Sequence, residues 1–326
     1  MKTIEKAPDF RHDPHLNTIT KKYLEILNSG GVPVESLSKE EARKVLENVQ
    51  SSVKVNVSGI EETEKMISAD DYNIKLNVVR PKGIKEKLPV FVFIHGGGWI
   101  LGDYPTHRRM VRDLVVESGY AAVFVNYTPS PEAKYPQAVN EIYAAVKWIA
   151  SNGNTLNVDS KRLAVIGNSV GGNMSAVMGL MAKNKKGPAI KLMVMLWPVT
   201  DVDFNTNSYK MYGEQRFLTT SLMKWMFDQY TTDKKLRKEI YHSPLQASVD
   251  ELKGLPPTLI ITAENDILRD EGEAFGRKLD EAGVQVTTVR YNGVIHDFGL
   301  LNGFAVMPET QSMFTFVAAE LKKYLK

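Results

Sequence analysis

The 326-residue sequence predicts an α/β protein with a mostly parallel central sheet flanked by helices, and three observations carry that expectation. Short apolar runs alternate with helical stretches through most of the chain, as strands joined by crossover helices require. Pro89–Ile94 is apolar without interruption, the signature of a strand covered on both faces. Finally, Gly167-Asn168-Ser169-Val170-Gly171-Gly172 lies between the strand-like Arg162–Ile166 and the helix-compatible Asn173–Ala182. A strand, a tight turn with serine at its tip, and a helix form the context in which a G-x-S-x-G pattern gains chemical meaning.

Taken in order, the chain begins with two amphipathic helical segments, roughly Leu16–Leu27 and Lys39–Val49, parted by Gly30-Gly31-Val32-Pro33. Ser38 with Glu41 forms a capping-box pattern at the second. Val53, Val55 and Val57 alternate with polar residues, as do Ile74, Leu76 and Val78, and both segments read as half-buried antiparallel strands. Helices are then expected near 106–118, 136–151, 170–184, 268–282 and 309–325. Strands are expected at Ala121–Val125, Leu163–Ile166, Leu192–Leu196, Thr258–Thr262 and Val284–Val289. One stretch breaks the rhythm: about sixty residues separate Trp197 from Pro257, far more than a plain crossover needs. This insert carries Met211-Tyr212, Phe217-Leu218, Leu222-Met223, Trp225-Met226-Phe227 and Tyr230, and follows the carboxyl end of a strand, where open α/β sheets place ligands. Residues 1–50 and 200–245 are therefore expected to form a helical cap over an α/β domain of 51–199 and 246–326, with the cap aromatics, Trp225 and Tyr212 included, lining an apolar pocket.

Composition narrows the function classes. Hydrophobic residues make up 43% and charged residues 24%, ordinary for a globular protein, and a net charge of +3 calls for no nucleic acid or other polyanion. The chain has no cysteine, which excludes disulfides, thiolate metal sites and a cysteine nucleophile and fits a reducing cytosol. Met1–Asp9 lacks the apolar core of a signal peptide, and Leu192–Val199, the longest apolar stretch, is too short to span a bilayer. A cytoplasmic protein without stable membrane anchoring is expected. Neither G-x-G-x-x-G nor G-x-x-x-x-G-K-[ST] occurs, so no nucleotide cofactor is expected, and no metal.

A serine hydroxyl is a poor nucleophile until a base takes its proton. Of six histidines, His12 and His15 precede the first helix, His107 opens a helix, and His242 follows the insert. His95 belongs to the glycine-rich His95-Gly96-Gly97-Gly98-Trp99 and reads as a loop-bracing residue. His296 remains, beyond the last expected strand, in a loop at the same carboxyl edge as Ser169. Its carboxylate partner is sought at Glu264, Asp266, Asp270 or the adjacent Asp297; Asp266 is favoured because it falls just past a strand end, whereas Asp270 and Glu271 fall in a first helical turn where acids are expected for dipole reasons. The order Ser169, Asp266, His296 is that of the α/β hydrolases. Gly97, Gly98 and Val170 are the expected backbone N–H donors to an oxyanion.

Three segments together resemble the hormone-sensitive-lipase family of carboxylesterases, bacterial family IV. They are His95-Gly96-Gly97-Gly98-Trp99, Gly167–Gly172 and Asp266-Ile267-Leu268-Arg269-Asp270-Glu271-Gly272. Gly102-Asp103, Pro131-Glu132, Tyr135-Pro136 and Ser243-Pro244-Leu245 are similar too, and the likeness covers nearly the whole chain. The resemblance implies an α/β-hydrolase fold, a cap, no cofactor, hydrolysis of short- to medium-chain acyl esters through an acyl-enzyme, and a homodimer. Three departures stand out. Asn168 replaces the usual aspartate and removes a charge beside the nucleophile, which is expected to tune the site. Val170 replaces alanine and is expected to restrict the acid side of the substrate. Thr128 replaces an arginine expected to brace its loop. The same machinery would serve an amide, formamide or lactone hydrolase. A non-catalytic receptor on this fold, like the plant gibberellin receptors, lacks the histidine that His296 supplies here.

Overall fold

The computed structural model describes residues 6–326; the first five residues of the expected cap, which are also the start of Met1–Asp9, lie outside that range. Among the described residues, eight strands form one sheet: β1 (Ile60–Ala69), β2 (Tyr72–Pro81), β3 (Leu88–Ile94), β4 (Ala121–Asn126), β5 (Val158–Asn168), β6 (Leu192–Leu196), β7 (Thr258–Asn265) and β8 (Val286–Ile295). Their spatial order is β1-β2-β4-β3-β5-β6-β7-β8. β2 runs antiparallel to both neighbours, and from β4 to β8 every pairing is parallel. Asp70 and Asp71, with φ of 47° and 66°, close the β1–β2 hairpin in the left-handed conformation that matches strand twist.

The helices are α1 (Thr18–Leu27), α2 (Lys39–Ser51), α3 (Tyr104–Ser118), α4 (Gln137–Asn152), α5 (Val170–Asn184), α6 (Asn207–Tyr212), α7 (Thr220–Tyr230), α8 (Val249–Leu252), α9 (Arg269–Glu281) and α10 (Pro308–Tyr324). The capping box of Ser38 and Glu41 opens α2 as expected. Period-two alternation divides β3 between two cores. Phe91 and Phe93 join Met110 and Leu114 of α3 and Phe314 and Val317 of α10. Val90, Val92 and Ile94 face the other way, toward Ile142 of α4, Val177 of α5 and Phe275 of α9. Both sheet faces are thus covered, which is why the inner strands carry no polar alternation.

One expectation fails. Val53–Val57 is not a strand: β1 fills the sheet edge beside β2, and the alternating valines run past without a partner. The last strand runs further than Val284–Val289, as β8 to Ile295, and His296 is the first residue beyond it, in the turn at the carboxyl edge. The amino-terminal helices and the insert meet near the carboxyl ends of the strands. Ala42 and Leu46 of α2 share a core with Met223, Met226 and Phe227 of α7.

Candidate active site

Ser169 sits between β5 and α5 with φ 55° and ψ −120°, a conformation that survives only where the surroundings over-determine it. Glycine makes the turn possible: a Cβ on Gly171 would lie 2.0 Å from the Ile94 carbonyl oxygen. The Ser169 N–H donates to the Leu196 carbonyl at 2.8 Å, tying the tip of the turn to β6.

Asp266 and His296 each directly follow a strand, β7 and β8 respectively. His296 Nε2 lies 3.0 Å from Ser169 Oγ, and Nδ1 lies 2.7 Å from Asp266 Oδ2. The other Asp266 oxygen accepts the Leu268 N–H at 3.0 Å, fixing the carboxylate's orientation. All three side chains are buried. Burial alone would lower the His296 pKa, but the charges of Asp266 and Asp297 outweigh it and hold the imidazole above its ordinary value.

The remaining carboxylate candidates have other partners. Glu264 accepts the Gly293 N–H at 2.9 Å and meets the His15 ring at 3.0 Å, so it ties the amino-terminal segment to β8. Asp270 accepts the Ser208 N–H at 2.8 Å. Glu271 does more than complement a helix dipole. It is buried, accepts the Thr200 N–H at 2.7 Å and the Asp201 N–H at 3.2 Å, and burial pushes its pKa well up. It thereby anchors the chain leaving β6, a role no local pattern announces. Of the other histidines, His95 stacks on Tyr127 at 4.2 Å and burial lowers its pKa to about 4, while burial lowers His242 to about 3.

Asp297 is the residue whose importance the sequence understated. Its Oδ1 accepts the Trp197 Nε1–H at 2.7 Å and the Asn168 Nδ2–H at 3.1 Å, while Oδ2 lies 3.9 Å from His296 Nε2. This explains the departure at 168. An aspartate there would set a second carboxylate against Asp297, whereas the amide supplies a donor. The same side chain accepts the Gly96 N–H at 3.0 Å through Oδ1 and so pins the glycine loop to the serine turn. In that loop Gly98 has φ 62°, which favours glycine, and a Cβ there would lie 2.1 Å from Met226 Sδ of α7. The N–H groups of Gly97, Gly98 and Val170 find no backbone acceptor among the described residues. The Val170 side chain is fully buried in the core and does not line the cavity above Ser169, so its extra bulk lies away from the expected place.

That cavity measures about 110 Å³, and its floor is Gly97, Gly98, Ser169, His296 and Asp297. Its apolar walls come from α1, α2 and the insert, including Leu27, Leu46, Leu222 and Met226. Tyr212 and Trp225 are not among them. Tyr212 accepts a bond from Arg269 at 3.2 Å, and Trp225 packs against the core. An arginine does brace the loop after β4, but it arrives from α2: Arg43 donates to the Ser130 carbonyl at 3.1 Å and grips Glu132 through both terminal nitrogens, at 3.0 and 2.8 Å. Among the described residues, no cluster of three or more His, Cys, Asp or Glu side chains is placed to hold a metal, and no helix is long and apolar enough to cross a membrane.

Strand-end serine, acid and histidine on a mostly parallel sheet define a class, and a family model described as the alpha/beta hydrolase fold matches residues 91–300. The chain belongs to the α/β-hydrolase family, in its hormone-sensitive-lipase-like branch. More particularly, it is similar to a thermostable esterase from Pseudomonas putida ECU1011, at 55% identity and a TM-score of 0.95 over 96% of this chain and 99% of that one. A fungal esterase from Rhizomucor miehei is 39% identical, with a TM-score of 0.89 over 95% of this chain and 96% of its own. An ethyl acetate hydrolase of Pseudomonas putida is 28% identical across 95% of this chain and 99% of its own length.

Proposed function

We propose that the chain is a serine carboxylesterase acting on small apolar esters. The observation that carries the reading is the continuous path from Ser169 Oγ through His296 to Asp266, at 3.0 and 2.7 Å. Ser169 Oγ attacks the ester carbonyl carbon while His296 Nε2 takes its proton. Asp266 holds the proton on Nδ1 and stabilises the imidazolium, and the N–H groups of Gly97, Gly98 and Val170 receive the oxyanion. Collapse breaks the bond to the alkoxy group, which leaves as the alcohol with the proton from Nε2. Water then gives a proton to His296 and attacks the acyl carbon; the returning proton restores Ser169 as the acid departs.

Substrate size follows from the enclosure. A cavity of about 110 Å³ is small beside the roughly 300–1,000 Å³ that drug-sized ligands occupy, and its apolar walls favour short acyl and alkyl groups. The named activity of the ethyl acetate hydrolase supports the same size class. In this reading residues 1–50 and 200–245 act as the cap over 51–199 and 246–326. The protein works in the cytoplasm, a placement the lack of cysteine supports, and pairs as a homodimer, which light scattering checks.

The test is covalent labelling by a fluorophosphonate together with p-nitrophenyl acetate turnover. Wild type is expected to label, and Ser169→Ala to lose labelling and about 10⁵-fold or more in kcat. Labelling that survives the substitution would move the nucleophile elsewhere.

A further inference from the structure

Beside the cavity over Ser169 lies a second hollow of about 530 Å³ that reaches the surface between the α1–α2 connection and the insert. The two share five lining residues, Leu27, Val34, Val45, Phe217 and Leu222, so one layer of apolar side chains separates them. Phe217 is the aromatic member of that layer, and it is held in an unusual way. Its φ is 68°, that of Gln215 is 60°, and the Leu218 N–H donates to the Arg216 carbonyl at 2.9 Å, leaving Phe217 at the tip of a three-residue turn. A bulky residue adopts positive φ only under constraint. Arg216 supplies it from within the turn: the side chain is 2% exposed, and Nη2 donates to Asp13 Oδ2 at 2.7 Å and to the Pro8 carbonyl at 2.9 Å. Asp13 is itself 1% exposed.

We propose that Phe217 is a specificity-determining residue, the stop that ends the apolar arm of the ester, and that the buried Arg216–Asp13 pair is the positioning device that holds it there. This rests on the esterase reading above. With the ring in place, an arm extending from Ser169 toward the cap meets Phe217 after a few carbons. Removing the ring joins the cavity to the outer hollow and lets a longer arm continue. Asp13 belongs to the amino-terminal segment and Arg216 to the insert, so the size of the site depends on the docking of two distant parts of the chain. The arm can be the acyl chain or the alkyl chain of the alcohol, and two substrate series separate them.

The experiment measures kcat and KM of wild type, Phe217→Ala and Phe217→Leu on p-nitrophenyl esters from acetate to dodecanoate, and on alkyl acetates from ethyl to octyl. A fluorophosphonate titration counts competent sites in each preparation. Phe217→Ala is expected to raise the octanoate-to-acetate ratio of kcat/KM by about tenfold or more, chiefly through a lower KM for the long ester, and Phe217→Leu by less. The same shift confined to the alkyl acetates assigns Phe217 to the alcohol arm. Asp13→Asn is expected to move the ratio in the same direction through KM, which loss of folded protein alone would not do once sites are counted. An active wild type whose chain-length profile is unchanged in Phe217→Ala in both series overturns this proposal alone. A wild type that turns over neither series overturns the esterase reading and this proposal with it.

Discussion

The centre around Ser169 and the wall around Phe217 both hold a residue at positive φ, but by opposite means. At Ser169, backbone meets backbone: Gly171 abuts the Ile94 carbonyl, and the Ser169 N–H is tied to Leu196. Each contact lies at or just beyond a strand end, so the sheet itself sets the geometry. At Phe217 the constraint is a side-chain ion pair between residues 203 positions apart. The contrast separates what the fold imposes from what the chain adds to it. The proposed chemistry is built from parts that the sheet makes rigid, whereas the proposed stop on substrate size is a segment of the insert clamped to the amino-terminal segment.

The comparison is broken most severely by Gly171→Ala. The added methyl would collide with main-chain atoms of β3, which cannot swing aside as a side chain can, so a loss of about 4 kcal/mol or more is expected, with little folded protein recovered. Gly98→Ala sharpens the point, since its new methyl meets the flexible Met226 side chain instead; thermal unfolding should show a smaller loss than at Gly171. Next comes the clamp. Asp13→Asn leaves the Arg216 guanidinium buried without its counter-charge, a change that typically costs about 3–5 kcal/mol. Equilibrium denaturation should register that loss, while fluorophosphonate labelling of Ser169 in the folded fraction persists. If labelling is lost as readily as stability, the two regions are not independent.

The same division governs what could be read from the sequence. The serine turn, the acid after β7 and the histidine after β8 were legible because tight backbone turns demand glycine and strand ends follow apolar runs. The Val53–Val57 reading failed because alternation reports a two-sided segment, not the presence of a partner strand, and β1 had already taken that place. Asp13 and Arg216 carry no local signature at all; a buried ion pair across the chain becomes visible only when the elements dock. Asp297 falls between the cases. Its adjacency to His296 made it a candidate, but the Trp197 and Asn168 bonds that define its role come from other strands.

Asp297 also gives the subtlest test, because it perturbs the centre by charge without moving it. Two carboxylates favour the His296 imidazolium, Asp266 at Nδ1 and Asp297 near Nε2, and they raise its pKa against the opposing effect of burial. In the proposed mechanism His296 must start neutral, so activity should rise with pH through a midpoint above the ordinary histidine value of 6.5. The linked effect on stability has the opposite sign. Folding gains from the raised pKa at pH below the unfolded value, and that gain is lost as pH rises through the folded one. Asp297→Asn keeps a carbonyl oxygen able to accept from both Trp197 and Asn168 but removes the charge. The acid limb of kcat/KM on p-nitrophenyl acetate should therefore move to lower pH with the plateau largely retained. Asp266→Asn should also lower the limb, but at a cost of about 10⁴-fold in kcat, since the orienting carboxylate is gone. A limb that stays in place in Asp297→Asn would mean that the nearby charge does not reach the imidazole and that Asp297 serves only to hold Trp197 and Asn168.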